Sequence, residues 1–149
     1  MYVNMASEIQ AVIEQLGGEQ VFGHSLRTPA DLESAIRAGF PHSVLLQLMQ
    51  ATDISLKELA AILDLSPRSL QRRRRAGRLD RVESDRLYRF ARTVALATRY
   101  IGDTEAAMRW LKHPNRALGG KVPLESIDTE LGARAVENVL GRIAYGGVS

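Results

Sequence analysis

Between Ser55 and Arg78 the chain reads SLKELAAILDLSPRSLQRRRRAGR, and the polar side chains of its second half fall into two chemical groups. Ser66, Arg68, Ser69, Gln71 and Arg72 are hydroxyls, an amide and guanidiniums at the start of one helical segment. Arginine can bond guanine bidentately and glutamine can do the same with adenine, each worth roughly 1–3 kcal/mol of discrimination. Arg73, Arg74, Arg75 and Arg78 follow as a cationic cluster. Such a cluster suits phosphates, whose clamping positions a protein on a duplex without reading its sequence. Together these residues form a candidate DNA-binding set.

Two short helices around a tight turn would position them. Ser55 and Glu58 have the spacing of a capping box, in which each side chain satisfies a free backbone N–H. Leu56, Leu59, Ala60 and Leu63 then supply a buried stripe, and Leu63-Asp64-Leu65 is the turn. Ser66-Pro67 reads as a cap followed by a first-turn proline, with Leu70 pointing inward. A helix-turn-helix needs a small residue where its helices approach, and Ala60 fills that role. The turn usually carries glycine four residues later at positive φ. Asp64 stands there instead, and aspartate tolerates the left-handed region better than most residues. In such a motif the N-terminal side chains of the second helix face base edges. Two other uses of the arginine run compete: a solvated helix face or linker, and RNA binding. No aromatics interleave with it to stack single-stranded bases, which counts against RNA.

The rest of the chain has helical spacing and no sustained strand alternation, so the fold class is all-α. Ser7 would cap a first helix that Gly17-Gly18 ends. Thr28-Pro29 opens a second that Gly39 stops, and Pro41 opens a third. After Gly77 a longer helix runs from about Arg81 to Ile101. Asp103 caps a short one reaching Trp110-Leu111, which Pro114 closes. RALGGKVP (116–123) is a glycine-rich loop, Pro123-Leu124 starts one more turn, and Thr129 with Glu130 starts the last helix, which Gly146-Gly147 terminate. The divisions drawn are a helical extension over 1–39, a helix-turn-helix region over 40–99 and a C-terminal helical domain over 100–149.

Charge follows these divisions. Residues 1–54 hold 2 basic and 6 acidic side chains, residues 55–99 hold 12 and 5, and residues 100–149 hold 6 and 6. The net +3 is therefore concentrated in the middle, the footprint of a nucleic-acid site. There is no cysteine, which excludes disulfides and thiolate chemistry. No apolar run approaches the roughly 20 residues needed to span a bilayer, and the start has no signal-peptide pattern. A cytoplasmic protein without a membrane partner is expected. His24, His42 and His113 are isolated from one another, so no metal or cofactor is expected. Gly119-Gly120-Lys121 lacks the strand and spacing of a phosphate loop and reads as a plain turn. No nucleophile–base arrangement is present, and an enzyme is not expected.

The last helix carries Ala133, Val136, Leu140 and Ile143 as its core stripe. Beside it lies a mixed face of Arg134, Glu137, Asn138, Arg142 and Tyr145. Arginine and tyrosine are favoured interface anchors, so this face and the tail through Val148 and Ser149 are left for a protein partner.

The order of small motifs in this third is specific. Trp110-Leu111, Pro114-Asn115, Ala117 to Gly120, Pro123-Leu124, Asp128-Thr129, Gly132, and Leu140 to Ile143 with Gly146 follow one another. With these the segment resembles the C-terminal toxin-binding domain of the Xre/MbcA/ParS antitoxin family. Leu65-Ser66-Pro67-Arg68, Leu70-Gln71-Arg72-Arg73 and Glu83-Ser84-Asp85-Arg86-Leu87 look like the same family's N-terminal portion, so the resemblance covers roughly 40–147. Asp64 in place of the turn glycine is the clearest departure.

The resemblance implies the antitoxin of a type II toxin–antitoxin system. Its cognate toxin would be a RES-domain protein that degrades NAD or transfers ADP-ribose from it. The antitoxin would cover the toxin's active site, bind operator DNA as a repressor, and assemble as a homodimer or a higher complex with toxin through its C-terminal domain. Arg142 is the candidate for reaching into the toxin, since a guanidinium matches the anionic contacts of a pocket that holds NAD phosphates. A dimeric helix-turn-helix transcriptional repressor without any toxin partner is the alternative.

Overall fold

Side-chain caps punctuate this chain, and most of its helices start on one. The computed structural model describes residues 5–145, with side chains from residue 7 onward. Ten α-helices are present there: α1 (Met5–Leu16), α2 (Gly18–Phe22), α3 (Pro29–Ala38), α4 (Ser43–Thr52), α5 (Leu56–Leu63), α6 (Pro67–Ala76), α7 (Arg81–Ile101), α8 (Thr104–Leu111), α9 (Pro123–Ser126) and α10 (Glu130–Ala144). A 3-10 turn, Arg116–Leu118, lies between α8 and α9. Among the described residues there is no strand, only isolated bridges pairing Pro41 with Arg78 and Asn115 with Lys121. The fold is all-α, as the spacing predicts.

Thr28, Ser55 and Asp80 each close a reciprocal capping box, with Asp31, Glu58 and Glu83 respectively. Ser66, Asp103 and Thr129 accept from the N3 amide of their helices. Each such cap satisfies backbone donors that a helix start leaves open, worth about 1 kcal/mol. Three boundaries differ from the sequence reading. Gly17 does end α1, but the chain re-enters a helical turn at once as α2. Pro41 does not open α4; it pairs with Arg78, and the helix starts at Ser43. The helix expected from Ser7 already begins at Met5. Gly146-Gly147, Val148 and Ser149 lie outside the described residues.

The long helix α7 is the spine. Leu87, Phe90, Ala91, Val94 and Ala97 are buried along it, and α1, α3, α5, α8 and α10 all pack against it. One apolar cluster runs from Val12 and Leu16 through Phe40, Leu48, Leu59 and Leu63 to Leu111, Val136 and Leu140. The core therefore crosses both sequence divisions. No described helix is long and apolar enough to cross a membrane.

Candidate nucleic-acid interface and partner-binding face

The second helix of the helix-turn-helix is held at both ends. At its start Asp64 adopts φ 55° and ψ 46°, the left-handed conformation that the turn demands and that aspartate accepts. The amide of Leu65 then bonds the Ala60 carbonyl at 2.9 Å. Ala60 is 7% exposed and Leu70 is 4% exposed, so α5 and α6 do pack closely on the face the sequence assigns inward. Ser66 caps α6 by accepting from the Ser69 amide at 3.1 Å.

At its other end the chain is sewn to the α3–α4 connection. His42 donates its amide to the Gly77 carbonyl at 3.0 Å, and Leu79 donates to Phe40 at 2.9 Å. The amide of Phe40 in turn donates to the Ser84 hydroxyl of α7 at 2.7 Å. Arg86 of α7 reaches back to the Leu63 carbonyl at 2.8 Å, closing the C-terminus of α5. A rigid mount of this kind is what precise groove recognition requires.

The structure divides the candidate DNA-binding residues. Arg68, Gln71, Arg72, Arg74 and Arg75 are exposed on α6. Ser66 and Ser69 share a hydroxyl contact at 3.1 Å, and Arg72 donates to the Ser69 hydroxyl at 3.1 Å. Arg73 turns inward instead. Its Nε donates to both oxygens of Glu83, at 2.8 and 3.0 Å, and Nη2 reaches Asp80 at 3.5 Å. These contacts hold its pKa above the usual arginine value, with the Glu83 hydrogen bond contributing most. Glu83 itself is buried. Arg78 donates to the Gly39 carbonyl at 2.6 Å and locks the α6–α7 connection onto α3. Arg73 and Arg78 thus brace the helix that the remaining arginines decorate. Burial and nearby Arg74 push the His42 imidazole below its ordinary pKa.

Sequence reasoning names Glu83 only within a stretch of family resemblance and does not single out Asp80 or Phe40. The Asp80–Glu83 spacing of a capping box was the available signal, and it marks the start of α7 to which α6 is anchored.

The second candidate surface is α10. Ala133, Val136 and Leu140 are buried as assigned, while Ile143 is half-buried and lies outside the core cluster. Glu137 faces α7, where Arg92 donates to it at 2.8 Å, and its carboxylate is largely covered. Arg134 pairs with Glu130 at 2.8 Å. Burial lowers the Arg92 pKa, yet its pairing with Glu137 and Glu130 outweighs this and holds the guanidinium charged. Arg134, Asn138, Arg142 and Tyr145 are exposed at helical spacing, joined by Leu131, which is 85% exposed. An apolar residue this exposed at the start of a polar stripe is the kind of side chain that a partner covers. The sequence reading does not include it. Tyr145 is set edge-on against Tyr100, with ring centroids 6.0 Å apart. The contact between their hydroxyls, with burial, pushes the Tyr100 phenol up to about 12.

Comparisons with known proteins fall on both surfaces. A family described as the antitoxin Xre-like helix-turn-helix domain matches residues 31–92. One described as the antitoxin Xre/MbcA/ParS C-terminal toxin-binding domain matches residues 96–146. A protein named Antitoxin Xre from Photorhabdus laumondii subsp. laumondii is 32% identical over 120 residues, covering 79% of this chain and 81% of that relative. An Antitoxin Xre from Yersinia enterocolitica is 32% identical over 117 residues, covering 77% and 79%. Another from Pseudomonas putida is 32% identical over 122 residues, covering 81% and 76%.

Proposed function

The chain belongs to the Xre antitoxin family, and from that premise we propose that it neutralises a RES-type toxin and represses the operon that encodes both. The exposed stripe of α10 docks on the toxin and covers its active site, with Arg142 reaching into it. The exposed guanidiniums of α6 hold operator DNA in the major groove. Residues 1–39 act as a helical extension, 40–99 as the DNA-binding region, and 100–149 as the toxin-binding and dimerising part. The protein works in the cytoplasm and needs no cofactor. As a homodimer it would set two recognition helices about one DNA turn apart, roughly 34–36 Å, on a palindromic or repeated operator.

One observation carries this reading. A single spine helix, α7, joins a braced helix-turn-helix with exposed arginines to a toxin-binding domain of the family type whose last helix keeps an uncovered stripe.

The experiment is NAD consumption by the product of the adjacent reading frame, purified with and without this chain. Loss of activity at stoichiometric chain is the expected result. An active NAD-consuming neighbour that ignores the chain would overturn the neutralising role and leave a dimeric helix-turn-helix repressor.

A further inference from the structure

Residues 106–124 carry Arg109, Lys112, Arg116 and Lys121 and not one carboxylate. The acidic side chains of the C-terminal third lie outside this stretch, two of them on α10, where Glu130 and Glu137 pair with Arg89, Arg92 and Arg134. Arg109 is paired with Glu105 at 3.1 Å, but Arg116 and Lys121 have no carboxylate in ion-pair range among the described residues and both are exposed. The loop that presents them is closed on itself. Asn115 donates its amide to the Lys121 carbonyl at 2.9 Å, Gly120 donates to the Asn115 carbonyl at 2.9 Å, and the Asn115 side chain accepts from Ala117. Arg116 and Lys121 thus stand on a fixed backbone.

One contact ties this cationic segment to the helix-turn-helix. Helix α8 packs on α4, and Lys112 at its end reaches Glu58 in the first turn of α5 at 3.7 Å. In a helix-turn-helix complex the first helix crosses the phosphate backbone while the second enters the groove. Lys112 therefore sits beside the end of α5 that such a crossing would bring to phosphates, pairs with the carboxylate that would repel them, and has a side chain that is 35% exposed.

We infer that the segment from Lys112 to Lys121 extends the DNA interface onto the C-terminal domain, binding phosphates that flank the groove read by α6. The inference rests on the reading of α6 as the DNA-contacting helix. Its occupant is duplex phosphate rather than protein for a compositional reason. Among the described residues, none of the exposed large apolar side chains falls within 109–121, whereas Leu131 and Tyr145 mark α10 as the protein-facing side.

The test uses the full chain, a labelled duplex of arbitrary sequence about 30 base pairs long, and fluorescence anisotropy over a range of KCl concentrations. The variants are the triple K112A/R116A/K121A, its charge-preserving counterpart K112R/R116K/K121R, R74A, and R27A/R37A as a control for net charge. A cation that contacts a phosphate contributes about 0.9 to the slope of log affinity against log salt. The triple alanine variant is expected to flatten the slope by roughly 2 to 3, R74A by about 1, with the charge-preserving variant and R27A/R37A unchanged. A triple variant with the wild-type slope beside a flattened R74A overturns the inference and leaves the DNA reading standing. If neither changes the slope, the DNA reading fails and takes the inference with it. Equal flattening by R27A/R37A would reduce the effect to bulk charge and also overturn it. So would a triple variant that loses toxin binding while keeping the slope, since the segment would then belong to the protein partner.

Discussion

Four consecutive arginines sit in different surroundings because one of them meets carboxylates. The Arg73 guanidinium is held by Glu83 and Asp80, whereas Arg74 and Arg75 point away from the core. Removing Arg73 leaves the buried Glu83 carboxylate without its charged partner, and an uncompensated buried charge is costly. Arg73→Ala is expected to lower unfolding free energy by about 2 kcal/mol in urea titration. Arg74→Ala has no such partner to orphan, so its stability should stay within about 0.5 kcal/mol of wild type. The DNA response should reverse this order: about 0.9 off the salt slope for Arg74→Ala and none for Arg73→Ala where that variant is folded. A stable Arg73→Ala with a flattened slope would place that guanidinium on the phosphates. Sequence made the cationic run legible through residue type alone. Which member turns inward depends on Glu83, brought across a turn by a neighbouring helix, and no local pattern around Arg73 encodes that meeting. The same holds for Glu137, whose place on the mixed face of α10 is taken up by Arg92, 45 residues away.

At the scale of the elements, caps were the most legible feature because they are local chemistry. Thr28, Ser55, Asp103 and Thr129 all start helices where their spacing puts them. What escaped were features set by long-range backbone contact, such as the bridge that displaces the start of α4 from Pro41. Gly39 is another case. It sits at φ 88°, and a Cβ there would strike the Leu79 carbonyl, which the chain brings close through the Leu79–Phe40 hydrogen bond. Gly39→Ala should therefore cost about 2 kcal/mol or more, both from positive φ and from the displaced carbonyl. An unchanged melting temperature would show that the α3–α4 connection adapts. The cap on α5 also makes a pH prediction. The Ser55 amide bond holds Glu58 below its ordinary 4.5, against burial and with help from Lys112. A carboxylate with a lowered folded pKa adds stability above its unfolded pKa and loses it as pH falls through the folded one. Wild type should lose melting temperature as pH drops below 4.5. Glu58→Gln keeps a side chain able to cap but has no charge to lose, so its decline over that window should be shallower. Identical pH profiles would mean that other carboxylates set the acid limb.

For the molecule as a whole, the question is whether DNA-binding and partner-binding parts are separate bodies. Charge and motif order draw a boundary near residue 99, and the two family matches meet between 92 and 96. That boundary lies within α7, which runs from Arg81 to Ile101 and packs against both α5 and α10. A division legible in function need not be one in folding, because sequence patterning reports which face of a helix is apolar and not how many partners share it. Leu140 is completely buried on α10 and belongs to the same cluster as Leu59 and Leu63 of α5. Leu140→Ala should destabilise the fold by about 3 kcal/mol through lost burial and a residual cavity. That is roughly 10 °C in melting temperature at this chain length. If the core is one cooperative unit, native-state hydrogen exchange should show the loss equally in the amides of α5 and α10. Weakened protection confined to α8–α10, with α5 and α6 unaltered, would make the helix-turn-helix an independent body. In the cooperative case α10 and α6 share one unfolding equilibrium. A partner that binds the folded α10 would then raise the stability of α6 by the same free energy, measurable as slower exchange at Leu70 and Arg73 when toxin is added.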